Sequence, residues 1–223
     1  MMRSAAFRRA SRPGKAMHKT TREVLRLGPA DARAVPWKNG RGTTSELALW
    51  PADASFERGD YDWRLSAAEV AEDGPFSSFP GCERVLTVTH GAGLTLEHGD
   101  DAPRARLRRL EPYRFSGDWS TSATLFAGPI TDFNVILRRG RARAEVAALA
   151  LGARRARESL RAPQVFVHVL DGALVARVTG EERPFELARR GSLWLRGLAG
   201  GEELELAGSQ RASELLIVSL FAP

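Results

Sequence analysis

Short apolar runs, each broken by Gly, Pro or Asp, recur along almost the whole of this chain. Runs of this length with turn residues between them are typical of β-strands. The predicted strands are Glu46–Trp50, Trp63–Ala67, Arg84–His90, Gly93–Glu97, Ala105–Leu110, Ala123–Phe126, Asn134–Arg138, Ala142–Ala148, Gln164–Leu170, Ala173–Thr179, Ser192–Leu195 and Leu215–Phe221. Helical signal is confined to Ala148–Leu160, which is rich in Ala and Arg and predicts a short helix interrupted by Gly152. Many short strands with closely spaced turns indicate a sandwich or barrel, so the fold class is predicted to be all-β.

The order of turns and strands repeats once along the chain. In each half a proline precedes an apolar strand, the strand ends at a glycine (Gly91 or Gly172), and a second strand follows. A glycine between two strands suits a tight β-hairpin. The sequence therefore predicts a bicupin, which consists of two tandem double-stranded β-helix (jelly-roll) barrels. We expect an N-terminal barrel over residues 20–140 and a C-terminal barrel over residues 141–223.

The positive charge of the chain is concentrated at its N-terminus. Residues 1–19 contain six basic residues and no acidic one, so the remainder has 27 Lys and Arg against 27 Asp and Glu. This basic tail lacks apolar periodicity and is predicted to be disordered. An organelle transit peptide has a similar composition, and a true start at Met17 explains the tail equally well. Because the remainder is neutral, nucleic acid is not expected as a partner.

Two features predict a cytoplasmic protein that does not enter a membrane. No apolar run reaches the roughly 18 residues that a spanning helix needs. The single cysteine, Cys82, has no partner for an intramolecular disulfide, which suits a reducing compartment.

The segment from Trp37 to Glu46 has the composition of a ligand-binding rim. It combines an aromatic ring, glycines, the amide of Asn39, hydroxyls such as Thr44, and the carboxylate of Glu46, and it runs directly into an apolar strand. Glycine lets a backbone approach a ligand, and the polar groups supply hydrogen bonds. The alternative is an ordinary turn that Trp37 anchors.

A second candidate is the predicted strand that contains Arg64 and Ser66. Alternation along a strand places Trp63 and Leu65 on one face and Arg64 and Ser66 on the other. If the apolar face packs between the barrels, the polar pair faces the other side, where the guanidinium suits a carboxylate or phosphate. The alternative is a solvent-facing Arg64 on an edge strand.

Two further segments carry polar groups at strand ends. The segment 74–84 contains Phe76, Ser77 and Arg84, and its prolines stiffen a loop whose hydroxyls and amides would be preset for a ligand. The alternative is a surface loop whose Phe residues plug the barrel mouth. Asp132 and Asn134 flank a phenylalanine at a strand entrance, where Asp132 either orients an arginine or caps a turn.

The histidines argue against a metal site, and no cofactor is predicted. There are four, His18, His90, His98 and His168, and no two are one residue apart on a strand, as a pair aimed into one barrel would be. His168 lies in an apolar strand and is interpreted as a core or interface residue. The chain also lacks a G-x-S-x-G nucleophile elbow and a phosphate-binding loop.

Four motifs follow one another between about residues 20 and 140. They are Trp37-Lys38-Asn39-Gly40-x-Gly42-x-Thr44-x-Glu46-Leu47, Trp63-Arg64-Leu65-Ser66-x-Ala68-x-Val70, Gly74-Pro75-Phe76-Ser77-x-Phe79-Pro80-Gly81-x-x-Arg84 and Asp132-Phe133-Asn134-Val135. Together they resemble the HutD/Ves family of bacterial proteins. The C-terminal part of the chain is similar to that family in pattern alone.

The resemblance implies a metal-free bicupin with the RmlC-like jelly roll. It also implies a regulatory protein of histidine utilisation that binds a small-molecule carboxylate ligand such as N-formylglutamate; the Ves branch implies a role in stress response instead. Such a ligand has two carboxylates and an amide-like head, which arginine, serine and amide donors suit. The residues that the resemblance places at or near the ligand are Trp37, Asn39, Thr44, Glu46, Arg64, Ser66, Phe76, Ser77, Arg84, Asp132 and Asn134.

Two alternatives to a binding protein stay open at this point. The first is an enzyme, either a metal-free cupin-type isomerase or lyase or a metalloenzyme, in which Glu46 and Asp132 would act as acid or base. The second is an interaction protein that forms a homodimer through exposed sheet edges.

Overall fold

The computed structural model describes residues 21–37, 42–99, 102–152, 154–208 and 212–223. The strands of this part, numbered in chain order, are β1 (Glu23–Leu27), β2 (Arg33–Pro36), β3 (Thr43–Trp50), β4 (Trp63–Val70), β5 (Gly74–Phe76), β6 (Cys82–His90), β7 (Leu94–Glu97), β8 (Ala105–Leu107), β9 (Tyr113–Ser116), β10 (Thr121–Leu125), β11 (Ile130–Arg138), β12 (Arg143–Leu151), β13 (Arg155–Leu160), β14 (Gln164–Asp171), β15 (Ala173–Val178), β16 (Phe185–Ala188), β17 (Ser192–Arg196), β18 (Glu202–Gly208) and β19 (Ser213–Phe221). A short 3-10 helix, Pro29–Asp31, lies between β1 and β2. The described ranges contain no helix that could span a membrane. The predicted all-β fold class is confirmed.

The strands form four antiparallel sheets that pack as two barrels. The first barrel has a six-stranded sheet with the order β2-β3-β4-β11-β6-β9 and a four-stranded sheet with the order β5-β10-β7-β8. The second barrel has a five-stranded sheet with the order β1-β17-β14-β19-β12 and a four-stranded sheet with the order β13-β18-β15-β16. Two facing sheets in each barrel form a double-stranded β-helix, so the predicted bicupin is confirmed.

A continuous apolar core joins the two barrels. Trp63 and Phe133 of the six-stranded sheet pack with Phe166 and Trp194 of the five-stranded sheet. The rings of Trp63 and Trp194 meet edge to face, with their centroids 5.4 Å apart. Separate apolar clusters fill each barrel between its own two sheets. Burying one such ring contributes about 2–3 kcal/mol, so the six-stranded sheet is held firmly against the second barrel.

The first described strand joins a sheet of the second barrel. β1 pairs with β17, so residues 23–27 complete a sheet that otherwise consists of residues 143–221. Val24 packs against the core of the second barrel and Leu25 against the core between the barrels. The first barrel was expected to contain residues 20–140, but residues 23–27 belong to the second barrel. The predicted basic tail, residues 1–19, lies outside the described residues.

The predicted helix at Ala148–Leu160 is wrong, because the segment forms the end of β12 and the whole of β13. β12 pairs with β19 along its full length, and β13 pairs with β18. Burial alternates along β13, with Arg155 and Arg157 exposed and Leu160 buried. Pairing with apolar partner strands outweighs the helix preference of Ala and Arg, which is a weak preference.

The two glycines that end β6 and β14 turn the chain from one sheet to the opposite sheet. Gly91 has φ +90° and Gly172 has φ +73°. The prediction that they form tight hairpins is wrong, because β6 pairs with β11 and β9 whereas β7 pairs with β10 and β8. A Cβ on Gly91 would lie 2.7 Å from the carbonyl oxygen of Pro129. Glycine is therefore required here both by the backbone conformation and by the lack of space.

We predict that Gly91→Ala destabilises the protein much more than Gly128→Ala does. Both glycines have positive φ, but nothing lies within 4 Å of a Cβ at Gly128. Gly128→Ala should cost about 1–2 kcal/mol, the penalty of the left-handed conformation alone, and Gly91→Ala at least about 1 kcal/mol more. Urea denaturation of the two variants measures the difference. Equal losses would contradict the steric argument.

Candidate functional site

The six-stranded sheet has one apolar face and one polar face. On β4, Trp63 and Leu65 pack in the core between the barrels. Arg64 and Ser66 face the interior of the first barrel, and Asn134 of β11 lies directly opposite Ser66. The predicted separation of the two faces is confirmed. The alternative of a solvent-facing Arg64 on an edge strand is wrong, because Arg64 is 4% exposed and β4 lies between β3 and β11.

Glu46 and Arg64 form a buried ion pair in this interior. Arg64 Nε donates to Glu46 Oε2 at 2.7 Å, and Arg33 Nε donates to Glu46 Oε1 at 3.0 Å. The Arg64 guanidinium also stacks over the ring of Phe56, 4.0 Å from its centroid. Arg64 Nη2 is buried and has no hydrogen-bond partner among the described residues. Arg64 is thus fixed by Glu46 while one of its donors is left for another acceptor.

Sequence reasoning did not identify Arg33 or Phe56 as neighbours of Arg64. The pairing of β2 with β3 places Arg33 directly opposite Glu46. The signal for Arg33 would have been the short β2 strand before the Trp37 loop. Phe56 lies in the irregular segment between β3 and β4, where alternation gives no information about direction.

Arg84 is a second buried cation in the same barrel. It lies on β6, with Ile136 of β11 between it and Arg64 in the register of the sheet. Its Nη1 donates to the carbonyl oxygen of Ser77 at 3.0 Å, and its guanidinium lies 4.8 Å from the ring centroid of Phe115 and 5.0 Å from that of Phe79. Burial lowers the pKa of Arg84 to about 10, and Arg84 therefore stays charged at neutral pH.

Asp132 and Asn134 complete the polar face on β11. Asn134 Oδ1 is 3.5 Å from Arg84 Nε, at the limit of a hydrogen bond. Asp132 is buried, and its burial raises the pKa of the carboxyl to about 7, although the positive charge of Arg84 and the backbone N–H of Ala68 act in the opposite direction. Asp132 therefore exchanges its proton near neutral pH, and local turn capping does not account for its position.

His98 also faces the interior of the first barrel, although the sequence analysis did not identify it as a site residue. Its Nδ1 is 2.9 Å from Thr121 Oγ1, and its Nε2 is buried without a hydrogen-bond partner in the described part of the chain. The ring packs against Tyr113 and Phe115, with centroids 5.7 and 4.8 Å away. Burial, with a smaller contribution from the charge of Arg84, lowers the pKa of His98. Leu94 and Leu96 face the same interior and precede His98 by four and two residues. Alternation along the strand therefore indicates that His98 faces inward as well.

Trp37 and the first residues of β3 lie at the edge of this interior. Trp37 packs against the first-barrel core, its Nε1 donates to Thr44 Oγ1 at 2.9 Å, and its ring lies against Gly42, where an added Cβ would be 3.1 Å away. Trp37 therefore holds Gly42 and Thr44 next to the end of β2, an arrangement that agrees with an anchoring role. Asn39 lies outside the described residues, so its predicted role stays a prediction.

The Phe76 segment lies next to Arg84. Phe76 pairs with Thr121 and lies 5.7 Å from the Arg84 guanidinium, measured to the ring centroid. Ser77 is exposed and reaches Arg84 through its carbonyl oxygen rather than its hydroxyl.

The interior of the first barrel thus combines two guanidiniums, a paired carboxylate, an acid that titrates near neutrality and an imidazole whose pKa is lowered. Among the described residues, no three His, Cys, Asp or Glu side chains come together in a group that would hold a metal ion. Arginines in an aromatic, poorly hydrated interior suit a carboxylate, since guanidinium and carboxylate form paired charge-assisted hydrogen bonds.

Comparison with known proteins relates the chain to one family. The model of the HutD family matches residues 29–215. The chain is 40% identical over 120 residues to "Protein Ves" of Citrobacter koseri, a match that covers 52% of this chain and 60% of that protein. It is 38% identical over 120 residues to an uncharacterized 21.2 kDa protein in the hutC 3′ region of Pseudomonas putida. This second match covers 54% of this chain and 61% of that protein. The chain therefore spans less than two thirds of the length of these curated relatives.

A solved structure extends the similarity over nearly the full chain. HutD from Pseudomonas fluorescens SBW25, in a formate condition, is 32% identical with a TM-score of 0.73. The superposition covers 90% of this chain and 100% of the Pseudomonas fluorescens chain.

We predict that Asp132→Asn changes how stability depends on pH. Asp132 binds its proton more tightly when folded, because burial raises the pKa of its carboxyl to about 7 from its ordinary value of 3.8. The free energy of unfolding should therefore fall as pH rises between these two values, by about 2 kcal/mol from about pH 5 to about pH 7 for this group alone. Asp132→Asn should lack this fall. Urea denaturation of both proteins at several pH values measures it.

Asp118→Asn is the matched control for that experiment. Asp118 is exposed, and the backbone N–H of Gly81 lowers the pKa of its carboxyl, with Arg139 assisting. Its contribution to stability is lost only as pH falls below the ordinary aspartate range, so between about pH 5 and 7 this variant should parallel the unmodified protein. A parallel profile for Asp132→Asn as well would show that Asp132 does not titrate in this window.

Proposed function

The chain belongs to the HutD family, and we propose that in the cytoplasm it binds a small carboxylate metabolite, of the N-formylglutamate type, inside the first barrel and thereby regulates histidine utilisation. The observation that carries the proposal is Arg64, a buried guanidinium with one unused donor beside a second buried guanidinium, Arg84. One relative is encoded in the hutC 3′ region of Pseudomonas putida, and the structure of HutD from Pseudomonas fluorescens has been solved in a formate condition. The first of these facts supports the link to histidine utilisation.

The energetics of burial support a ligand rather than a structural role. Removing a charged group from water costs several kcal/mol unless hydrogen bonds and opposite charge offset that cost. Glu46 offsets the charge of Arg64, but it leaves Nη2 without a partner. Asp132 faces Arg84 in the same interior, yet its raised pKa means that it is only partly ionised near neutral pH. A bound carboxylate would supply the acceptor and the negative charge that the interior lacks.

The arrangement of the two arginines suits a ligand with more than one acceptor. Arg64 and Arg84 flank Ile136 across two strand spacings, so their Cα atoms are about 10 Å apart. Aromatic rings cover both guanidiniums, with Phe56 over Arg64 and Phe115 over Arg84. In the proposed complex Arg64 Nη2 donates to one carboxylate of the ligand, and Arg84 contacts the other polar groups of the ligand.

A second candidate function is metal-free, cupin-type isomerisation or elimination. It rests on Asp132, whose buried carboxyl has a pKa near 7 as a general acid or base requires. Incubation of the protein with N-formylglutamate, followed by proton NMR of the mixture, separates the two functions. A spectrum that changes with the unmodified protein but not with Asp132→Asn indicates an enzyme, and an unchanged spectrum favours binding alone.

We predict that N-formylglutamate binds and that both arginines are needed for it. Hydrogen bonds to charged groups are worth about 1.5–3 kcal/mol, so Arg64→Lys and Arg84→Gln should each weaken binding by about 10- to 100-fold. Arg64→Lys keeps the charge that pairs with Glu46 but removes the second nitrogen of the fork. Isothermal titration calorimetry with N-formylglutamate, glutamate, formate and urocanate measures both affinity and preference.

Arg177→Gln is the control for these variants. Arg177 is an exposed arginine on β15 of the second barrel and should leave the affinity unchanged. Absence of heat with all four compounds at millimolar concentration would reject the proposed ligand class. Equal affinity of all variants would reject the proposed location.

A further inference from the structure

A cleft of about 500 Å³ opens between the two barrels, on the opposite face of the six-stranded sheet from the site described above. Its lining includes Ser45, Phe133, His168, Arg109, Arg189 and Arg190. Its volume lies within the range of about 300–1,000 Å³ that is usual for small-molecule sites. Phe133 points into the core between the barrels, whereas its neighbour Asp132 faces the barrel interior, so the sheet itself separates the two sites.

Two residues with unusual backbone conformations lie at or next to this cleft. Among the described residues other than glycine, Leu110 and Arg190 have positive φ, at +66° and +65°. They occupy equivalent places in the two barrels, because Leu110 N–H donates to Val88 O and Arg190 N–H donates to Val169 O, both at 2.8 Å. Each follows an arginine that lines the cleft. Left-handed backbone at bulky residues persists where the surroundings impose it, and it is common at functional sites.

Two β-bulges flank the same cleft. The register of β6 against β11 shifts between Thr131 and Asp132, and the register of β14 against β19 shifts between Val169 and Asp171. Thr131, Val169 and Asp171 line the cleft. Bulges are frequent next to binding sites because they redirect side chains and end the regular pairing of strands.

The arginines on the two sides of the cleft differ in how far their charge is neutralised. Both terminal guanidinium nitrogens of Arg109 donate to the carboxylate of Glu214, and its Nε donates to the carbonyl oxygen of Thr89 at 2.9 Å. Arg189, its counterpart in the second barrel, has an exposed contact with Asp171 at 3.8 Å. Arg190 forms no ion pair within the described ranges. The second-barrel side therefore presents guanidinium charge that no buried carboxylate neutralises.

The lining of the cleft also contains the rings of His168 and Phe133. His168 is buried, its Nδ1 is 2.8 Å from Ser192 Oγ, and its ring centroid is 5.6 Å from that of Phe133. Burial, assisted by the charge of Arg190, lowers the pKa of His168 to about 4, so the imidazole is neutral. Because Nδ1 is engaged by Ser192, Nε2 is the ring nitrogen that remains for a ligand.

We propose that this cleft is a second binding site, for a small planar organic acid whose carboxylate pairs with Arg189 and Arg190 and whose flat body lies against Phe133 and His168. Glu69 and Asp171 are the acidic residues of the lining, and their charge excludes ligands with negative charge at both ends. The proposal concerns a different face of the sheet and different residues from the carboxylate site in the first barrel, so each stands or fails separately.

Benzoate is the probe for this site, with benzamide as its neutral counterpart of the same shape. In the full-length protein, benzoate should shift the amide resonances of cleft residues in a ¹H–¹⁵N correlation spectrum, and benzamide should bind at least about 10-fold more weakly. Arg190→Asn should weaken benzoate binding by about 10-fold or more, since Asn removes the charge but adopts the left-handed conformation readily. Arg189→Gln is a second variant with the same expected loss.

Two controls make the location of binding decisive. Arg84→Gln in the first barrel and Arg177→Gln on the exterior should leave benzoate binding unchanged. The proposal is overturned if benzoate causes no shifts at millimolar concentration, or if Arg190→Asn and Arg189→Gln bind it as the unmodified protein does. It is also overturned if Arg84→Gln abolishes the shifts, which would place benzoate in the first barrel.

Discussion

The central constraint of this fold is that the six-stranded sheet is covered on both faces, and that its two faces differ in chemical character. One face, with Trp63, Leu65 and Phe133, is fixed by packing against the second barrel. Since successive side chains on a strand point to opposite faces, this packing forces Arg64 and Ser66 into the first barrel. A shift of one residue in the register would turn the apolar set into the first barrel and bury the polar set against Trp194, so the apolar core also determines the geometry of the polar site.

The polar interior is an energetic liability if it has only a structural role. Replacing a buried ion pair with well-packed apolar residues is often neutral or stabilising. The first barrel nevertheless keeps Arg64, Arg84, Glu46 and Asp132 inside, and the burial of Asp132 shifts its pKa towards neutrality. Groups held in unfavourable protonation states together with unused donors are typical of binding and catalytic sites. This cost is the physical argument that supports the proposed site.

Part of this arrangement was predictable from local sequence and part was not. Alternation along β4 identified which side of the sheet Arg64 and Ser66 face, because that information lies within four consecutive residues. The pairing of Glu46 with Arg64 depends on a bulge between Glu46 and Ala48 that local patterns do not reveal. β1 was missed because its partner strand β17 is distant in the chain, and His98 was missed because the predicted strand ended at Glu97, one residue before it. Ala148–Leu160 was misassigned because helix preference was weighed without the partner strands β18 and β19.

Comparison of equivalent positions in the two barrels explains why the polar site is in the first barrel. The register of β6 against β11 repeats in β14 against β19, so Arg84 corresponds to Val165, Asp132 to Leu215 and Asn134 to Ile217. These three counterparts belong to the apolar core of the second barrel. The second barrel can therefore fold around an ordinary hydrophobic core, and its five-stranded sheet supplies the apolar surface that supports the first barrel. This division lets one barrel bear the energetic cost of buried charges while the other stabilises the molecule.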